Sequence, residues 1–205
     1  FHALAPACVG MRVFAQAPAE CQPRRRERLC RVAVQPGVAQ ADLMGAGVTE
    51  REILLAEALV QHIPSAERVL LTNSGSEAND TVIRLVRYYW SLLGKPDRQV
   101  IIARRNAYHG STVGAASLCG MPWMHAQAGL PIPGIVHIEE PYWFGQHDIE
   151  DPDEFGLQVA RRLAASIEKI GVDKVAAFIA EPVQGAGGAI IPPASYWPEI
   201  QRICD

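Results

Sequence analysis

The sequence predicts an α/β fold in which a mostly parallel sheet is wrapped by helices on both faces. From Thr49 onward, apolar stripes at helical spacing alternate with short apolar runs, an order typical of parallel sheets. The run from Lys174 to Ala180 is apolar without alternation, as expected for a strand buried on both faces. Several of these runs end in polar or glycine-containing segments, where open α/β sheets collect their ligands.

The first predicted elements are a helix, a strand and a second helix. An apolar stripe at helical spacing starts after Glu50 and is ended by Pro64, which predicts the first helix. A short apolar run predicts a strand from Arg68 to Leu71. The next helical pattern begins at Glu77 and stops at Gly94.

The second half of the chain continues the alternation. Short apolar or β-branched runs predict strands, and apolar residues at four-residue steps predict helices. Residues 120 to 134 are rich in glycine and proline and are predicted to be loop. The predicted elements are a strand from Val100 to Ala103, a helix from about Ser111 to Leu118, a strand from Ile135 to Ile138, a helix from about Pro152 to Ile170, a strand from Lys174 to Ala180 and a helix from Tyr196 to Ile203.

Composition and charge exclude several classes of function. A net charge of −3 and a pI near 6.1 give no positive field that would attract nucleic acid or an anionic membrane. No apolar run reaches the length of a membrane span. The five cysteines have no CxxC spacing and indicate neither a zinc site nor a disulfide framework. We therefore expect no metal, no nucleic-acid or membrane partner, and a reducing compartment such as the cytoplasm.

Residues 1 to 48 differ from the rest of the chain. No helical or strand period lasts in them for more than one turn, and several prolines interrupt them. The cluster Arg24-Arg25-Arg26 is interpreted as a solvated loop because no aromatic residues are interleaved with it. We assign this segment no function and treat residues 49 to 205 as one domain. The chain does not start with methionine, and we expect a partial chain.

The segment from Ser74 to Ser76 is a candidate phosphate-binding site. It lies between a predicted strand and a predicted helix, and the first N–H groups of a helix are unpaired and partly positive. Gly75 allows close approach of the backbone, and the two serine hydroxyls add donors. The alternative is a capping box, Ser74-x-x-Glu77, which would close the helix without any ligand.

Two other strand ends carry candidate ligand-binding residues. Tyr108 and His109 follow the strand that starts at Val100, and a tyrosine there can stack on a flat ring. Glu181 and Gln184 follow the strand from Lys174 to Ala180, where a carboxylate is costly without a partner. Taken singly, each has a structural alternative as a packing or loop residue. Together, a phosphate cradle, a stacking ring and a carboxylate suit a phosphorylated aromatic cofactor.

Three motifs resemble those of the class III aminotransferases, pyridoxal-phosphate enzymes of fold type I. They are NSGSEAND at residues 73–80, NAYHGST at 106–112 and AFIAEPVQGAGG at 177–188, and they occur in the same order. Within that family the chain is most similar to the ω-amino acid or amine:pyruvate branch. The resemblance covers about residues 49 to 205 and implies a partial fold type I large domain that binds pyridoxal 5'-phosphate.

The resemblance also implies roles for residues in the first two motifs. Gly75 and Ser76 would bind the cofactor phosphate, and Ser74 would shape the turn. Tyr108 would stack on the pyridine ring, and the dipeptide His109-Gly110 would set the backbone beside it.

In the third motif, the resemblance implies a supporting role for Glu181. In the family, the matching glutamate supports an aspartate that keeps the ring nitrogen protonated, and a protonated ring is the electron sink of the reaction. Gln184 would order the same loop. The implied activity is transfer of an amino group from an ω-amino acid or amine to an oxo acid.

The chain departs from the family pattern at the residues that complete catalysis. Its three lysines, Lys95, Lys169 and Lys174, are predicted to lie in a helix-end loop, a surface helix and a strand entrance, where none can reach the ring. Neither the aspartate nor the Schiff-base lysine of the family is recognisable. The chain therefore resembles an internal fragment, inactive alone, of an enzyme that forms homodimers. The alternatives are a non-catalytic cofactor-binding fragment and an aminomutase or decarboxylase of the same fold.

A further departure bears on the amino acceptor. Family branches that use 2-oxoglutarate tend to carry a glutamate five residues after the one matching Glu181, where it pairs with an arginine. Here that position is Ala186. The resemblance therefore implies pyruvate as acceptor.

Overall fold

The structure is a computed structural model that describes residues 12–14, 49–62, 69–127, 129–144, 149 and 151–205. The chain divides into two compact units, one formed by Phe1–Gln16 with Ser74–Asp205 and the other by Ala17–Asn73. Of the segment 1 to 48, to which no function was assigned, only residues 12–14 are described, and the predicted end of the first helix at Pro64 lies outside the described residues.

The described part of the second unit contains one helix, α1 (Glu50–His62). It begins with a reciprocal cap, since Thr49 Oγ1 accepts from the N–H of Glu52 at 3.3 Å and the Glu52 carboxylate accepts from the N–H of Thr49 at 2.7 Å. The predicted strand 68–71 was wrong for residues 69–71, which have no strand structure. A strand requires a neighbouring strand to pair with its backbone, and no described segment forms such a ladder with it.

The first unit is built on a four-stranded sheet with the order β1-β4-β2-β3. Its strands are β1 (Arg12–Phe14), β2 (Val100–Arg104), β3 (Ile135–Ile138) and β4 (Val175–Ala180). β2 is parallel to both β3 and β4, and β1 is antiparallel to β4. The predicted mostly parallel sheet is confirmed. β1 was not predicted, because its three residues are too few to show a period.

Five helices accompany this sheet in the described part of the unit. They are α2 (Gly75–Leu92), α3 (Val113–Leu118), α4 (Pro122–His125), α5 (Pro152–Ile170) and α6 (Tyr196–Cys204). α2 begins two residues before its predicted start at Glu77, because Ser74 acts as its N-cap. α4 lies in the segment that was predicted as loop, with Pro122 in its first turn.

The helices cover both faces of the sheet, as predicted. Successive residues of a strand point to opposite faces, so each strand contributes to two cores. On one face, Ile101, Ala103 and Ile179 pack with Ile83 of α2 and Leu118 of α3. On the other, Ile102, Ile138 and Phe178 pack with Phe155, Val159 and Leu163 of α5 and with Tyr196 and Ile200 of α6.

The sheet brings two loops together. β2 and β4 are parallel neighbours, so the segments that follow them, 105–112 and 181–190, leave the same edge of the sheet. α2 is held against the sheet by Trp90, whose indole N–H donates to the carbonyl of Ala176 at 2.8 Å. In the part of the chain that the structure describes, no helix has the length and apolar character needed to cross a bilayer.

Candidate functional site

The N-terminus of α2 is the first part of the candidate site. Ser74 is the N-cap, and its hydroxyl accepts from the N–H of Glu77 at 3.2 Å. The first helical bond runs from the N–H of Ala78 to the carbonyl of Ser74, so the helix ladder leaves the N–H groups of Gly75 and Ser76 unused. A Cβ built on Gly75 would meet nothing within 4 Å. The serine cap of α2 is therefore present together with N–H groups that the helix ladder does not use.

The loop after β2 packs directly on this helix. The N–H of Ser111 donates to Ser76 Oγ at 3.0 Å. Gly110 has φ +130, and a Cβ on it would lie 2.9 Å from the Cα of Ser76. Only glycine allows this conformation and this approach without strain. The candidate phosphate-binding segment, Ser74 to Ser76, is therefore in direct contact with the loop that carries Tyr108.

Two side chains of α2 hold this loop and the helix α3 that follows it. Asn79 Nδ2 donates to the carbonyl of His109, and Asp80 Oδ1 accepts from the N–H of Ala115 at 3.0 Å. Sequence reasoning missed both, although they follow Ser76 at the i+3 and i+4 positions that share its helix face. That spacing was the signal that could have identified them.

Glu181 joins the loop after β4 to the loop after β2. Its side chain is buried, with 5% of the residue exposed. One carboxylate oxygen accepts from the N–H of Tyr108 at 2.9 Å and the other from the N–H of Gly185 at 3.4 Å. Burial raises the pKa of Glu181, and these two backbone N–H groups and the Arg104 guanidinium oppose that rise.

Tyr108 and His109 point into different environments. Tyr108 is 43% exposed, so its ring is accessible to a ligand. His109 is buried, and its backbone N–H donates to Cys119 Sγ at 3.0 Å. Burial, and then the charges of Arg104 and His137, lower the pKa of His109 to about 4. At neutral pH this histidine is uncharged and enclosed.

Gln184 orders the loop that follows Glu181. Its Nε2 donates to the carbonyl of Arg105 at 2.9 Å, and its backbone pairs with Ile190 in both directions at 3.0 Å. Gly187 approaches the carbonyl of Asn106 so closely that a Cβ would collide with it. Gln184 therefore connects the two strand-end loops.

Arg104, the last residue of β2, was not predicted as part of the site. It is completely buried, and its Nη2 donates to the backbone carbonyl of Glu181. Its guanidinium carbon lies 5.8 Å from the ring centroid of Tyr196 and 5.4 Å from that of Trp197, both on α6. Burial lowers the pKa of Arg104, and Tyr196 and Glu181 act in the opposite direction. No sequence pattern signals that an arginine at a strand end is buried.

The candidate residues therefore form one connected cluster. Contacts run from Ser76 through the segment 108–111 to Glu181, and Gln184 joins from the neighbouring loop. Gly75 is adjacent to this cluster but has no such contact. Two clefts in the described residues are lined by other side chains, one beside Ile83 and Arg87 and one beside His125 and His137.

Comparisons with known proteins extend these observations. The family model "Aminotransferase class-III" matches residues 25–205. The chain is 53% identical over 150 residues to a putrescine–pyruvate aminotransferase from Pseudomonas aeruginosa. Its fold matches a thermostable omega transaminase mutant from Pseudomonas jessenii with a TM-score of 0.75 at 38% identity. It also matches a PMP-bound aminotransferase from Vibrio fluvialis with a TM-score of 0.71 at 40% identity.

These matches cover most of this chain but less than half of each matched protein. The relative from P. aeruginosa matches 73% of this chain but only 33% of its own length. The structural matches cover 88% and 78% of this chain, and 40% and 36% of the P. jessenii and V. fluvialis chains. The chain thus spans about a third of the curated relative. The family match begins at residue 25, within the segment 1 to 48 to which the sequence assigned no function.

Proposed function

The chain belongs to the class III aminotransferases, and from that premise we propose that it binds pyridoxal 5'-phosphate and serves amino transfer from an amine or ω-amino acid to an oxo acid. Its fold is that of the fold type I transaminases. The observation that carries the proposal is the double anchoring of the segment 108–111, by Glu181 at one end and Ser76 at the other. This anchoring holds a stacking ring between a helix N-terminus and a carboxylate.

The N-terminus of α2 fits a phosphate. The open space at Gly75 and the N–H groups of Gly75 and Ser76 offer what an anion requires at a helix start. Ser76 Oγ accepts from Ser111, so its hydroxyl proton remains available to donate to a phosphate oxygen. Ser74 caps the helix and thereby fixes the direction of these donors.

The remaining residues orient the ring. Tyr108 offers its exposed face for stacking, and its N–H is fixed by Glu181. The dipeptide His109-Gly110 sets the close approach of this loop to α2, and Gln184 fixes the loop from the other side. Pyridoxal phosphate supplies an electron sink and a carrier for the amino group. Glu181 would hold negative charge near the end of the ring that carries its nitrogen.

The charge of Glu181 gives a direct test of this function. In the full-length aminotransferase, we expect Glu181→Gln to slow amino transfer by roughly tenfold or more, because it removes a charge whose hydrogen bonds alone contribute that much. Glutamine keeps the shape, so the Tyr108 N–H retains an acceptor. The control is Glu154→Gln, which changes an exposed carboxylate in the first turn of α5. Equal rates for Glu181→Gln and the control would contradict the proposal, as would a full-length protein that transfers no amino group.

The amino acceptor is proposed to be pyruvate. Ala186 is exposed in the loop that follows Glu181, and its methyl group cannot neutralise an arginine that recognises a second carboxylate. The relative from P. aeruginosa, named for putrescine and pyruvate, supports the same acceptor. We expect a higher kcat/KM with pyruvate than with 2-oxoglutarate when one amine donor is used. A strong preference for 2-oxoglutarate would refute this inference.

Two further expectations remain predictions. A homodimer is implied by the family resemblance, and a cytoplasmic location by the cysteine pattern.

A further inference from the structure

We propose that Arg104 is a positioning residue, a buried cation that holds the end of β4 so that Glu181 faces Tyr108 and whose charge acts on Glu181 and on His109. The part of this inference that concerns amino transfer rests on the proposed function. The part that concerns the two charges does not.

Arg104 and Tyr108 both hydrogen-bond to Glu181, Arg104 to its backbone and Tyr108 to its side chain. The guanidinium donates to the backbone carbonyl of Glu181, and the N–H of Tyr108 donates to its side-chain carboxylate at 2.9 Å. Arg104 is the last residue of β2, and Tyr108 follows it by four positions. Because the backbone and the side chain of Glu181 are both held by the same neighbouring segment, its carboxylate has little freedom to turn away.

Two aromatic rings of α6 lie beside the Arg104 guanidinium. The side chain is fully buried, and the rings of Tyr196 and Trp197 lie within cation–π distance of it. Among the described residues, no carboxylate lies within ion-pair distance of its guanidinium. A buried cation without a close counter-charge acts on its neighbours through a medium that screens poorly.

The charge reaches both Glu181 and His109. It opposes the rise in the pKa of the Glu181 carboxyl that burial causes, and it adds to the fall in the pKa of His109. The other titratable groups near these sites are Glu140 and Tyr196, which act on Arg104, and His137, which acts on His109. Glu181 in turn helps to raise the pKa of Cys119. Arg104 is the group that acts on both residues, favouring ionised Glu181 and neutral His109.

The first experiment measures the His109 titration in cofactor-free protein by NMR. The protein carries labelled histidine, and the signal is assigned with His109→Asn. The wild-type imidazole should stay neutral down to about pH 4. In Arg104→Met its pKa should rise by about one unit, the lower end of the usual effect of a nearby charge. In Arg104→Lys, which keeps the charge, it should stay near the wild-type value.

The matched control is Arg105→Met. It removes one positive charge at the adjacent position, where the side chain is 62% exposed and pairs with Glu139 at 4.0 Å. We expect no shift of the His109 titration, because exposed charges are screened. The inference is overturned if Arg104→Met and Arg105→Met give the same His109 pKa. It is also overturned if wild-type His109 titrates near pH 6.5. This second test needs only wild-type protein and can be made even if Arg104→Met does not fold.

The second experiment measures amino transfer against pH in the full-length enzyme. In Arg104→Met the acid limb of kcat should move to higher pH by about one unit, because Glu181 then needs a higher pH to ionise. In Arg104→Lys the limb should stay in place while kcat falls, because a lysine lacks the planar fork of arginine. An unchanged acid limb in Arg104→Met overturns the inference. Absence of amino transfer in wild type, together with the expected His109 shift, overturns only the proposed function.

Discussion

At the scale of single residues, two glycines of the candidate site differ in the space that surrounds them. Gly110 has positive φ and lies against Ser76 and Ala115, so its missing side chain is required by folding. Gly75 has open space around its Cα, so none of the residues that the structure describes excludes a side chain there. Packing therefore does not explain the absence of a Cβ at Gly75, whereas the proposed phosphate would.

This contrast predicts different losses for two alanine variants. We expect Gly110→Ala to lower the free energy of unfolding by about 1–3 kcal/mol, since both backbone strain and a collision are introduced. Gly75→Ala should leave that free energy unchanged or slightly higher, because alanine favours a first helical turn. It should nevertheless weaken binding of pyridoxal phosphate by about tenfold, through the loss of hydrogen bonds to a charged group.

Urea unfolding and a fluorescence titration with the cofactor measure the two effects separately. If Gly75→Ala lost as much stability as Gly110→Ala, the glycine at position 75 would be structural. If it bound the cofactor as wild type does, the phosphate assignment would be wrong.

At the scale of elements, α6 is attached to α5 by charge as well as by its apolar face. Glu199 of α6 is largely buried and accepts from Arg161 of α5 at 3.1 Å and from Arg202 at 2.7 and 2.8 Å. Hydrogen bonding to Arg202, and then to Arg161, lowers the pKa of Glu199 to about 2. This matters for the site because the same helix carries Tyr196, one of the rings beside Arg104.

The lowered pKa fixes the sign of a pH effect. Glu199 has a lower pKa in the folded than in the unfolded chain, so it stabilises the fold above the unfolded pKa, about 4.3. That contribution is lost as the pH falls toward about 2. We expect Glu199→Gln to be less stable than wild type at pH 6, and the difference to shrink steadily below about pH 4.

Urea midpoints measured between pH 6 and pH 2.5 test this expectation. Glu168→Gln, an exposed change on α5, is the matched control and should follow wild type throughout. A difference between Glu199→Gln and wild type that stays constant with pH would show that the ion pairs do not stabilise the attachment of α6.

At the scale of the whole molecule, the candidate site and the lysines lie at opposite edges of the sheet. Glu181 follows the carboxyl end of β4, whereas Lys174 precedes its amino end. A strand of six residues spans about 20 Å. The carbonyl of Lys174 accepts from the N–H of Val100, at the start of β2, and Lys95 and Lys169 follow or end helices that return to this edge.

This arrangement predicts that none of the three lysines bonds covalently to the cofactor. When the 205-residue chain is mixed with one equivalent of pyridoxal phosphate and treated with borohydride, we expect no site-specific adduct at Lys95, Lys169 or Lys174. Peptide mapping by mass spectrometry gives the result. Stoichiometric labelling of one of these lysines would mean that the site lies at the other edge of the sheet.

The secondary structure was largely readable from the sequence because its signals are local. The helix from Pro152 to Ile170 and the strand from Ile135 to Ile138 have the predicted bounds, since caps, glycines and apolar periods lie within the elements themselves. The predicted strand at 68–71 failed because apolar composition alone does not supply a pairing partner.

The sequence by itself also determined the family through three motifs in a fixed order, two of which lie at the ends of neighbouring parallel strands. Only the tertiary structure decided how those ends are joined: that the Glu181 carboxylate holds Tyr108, that Ser76 holds Ser111, and that Arg104 is buried behind them. The physical reason is that burial and hydrogen bonding depend on residues distant in sequence. The position of a residue in the sequence does not show which other residues bury its side chain.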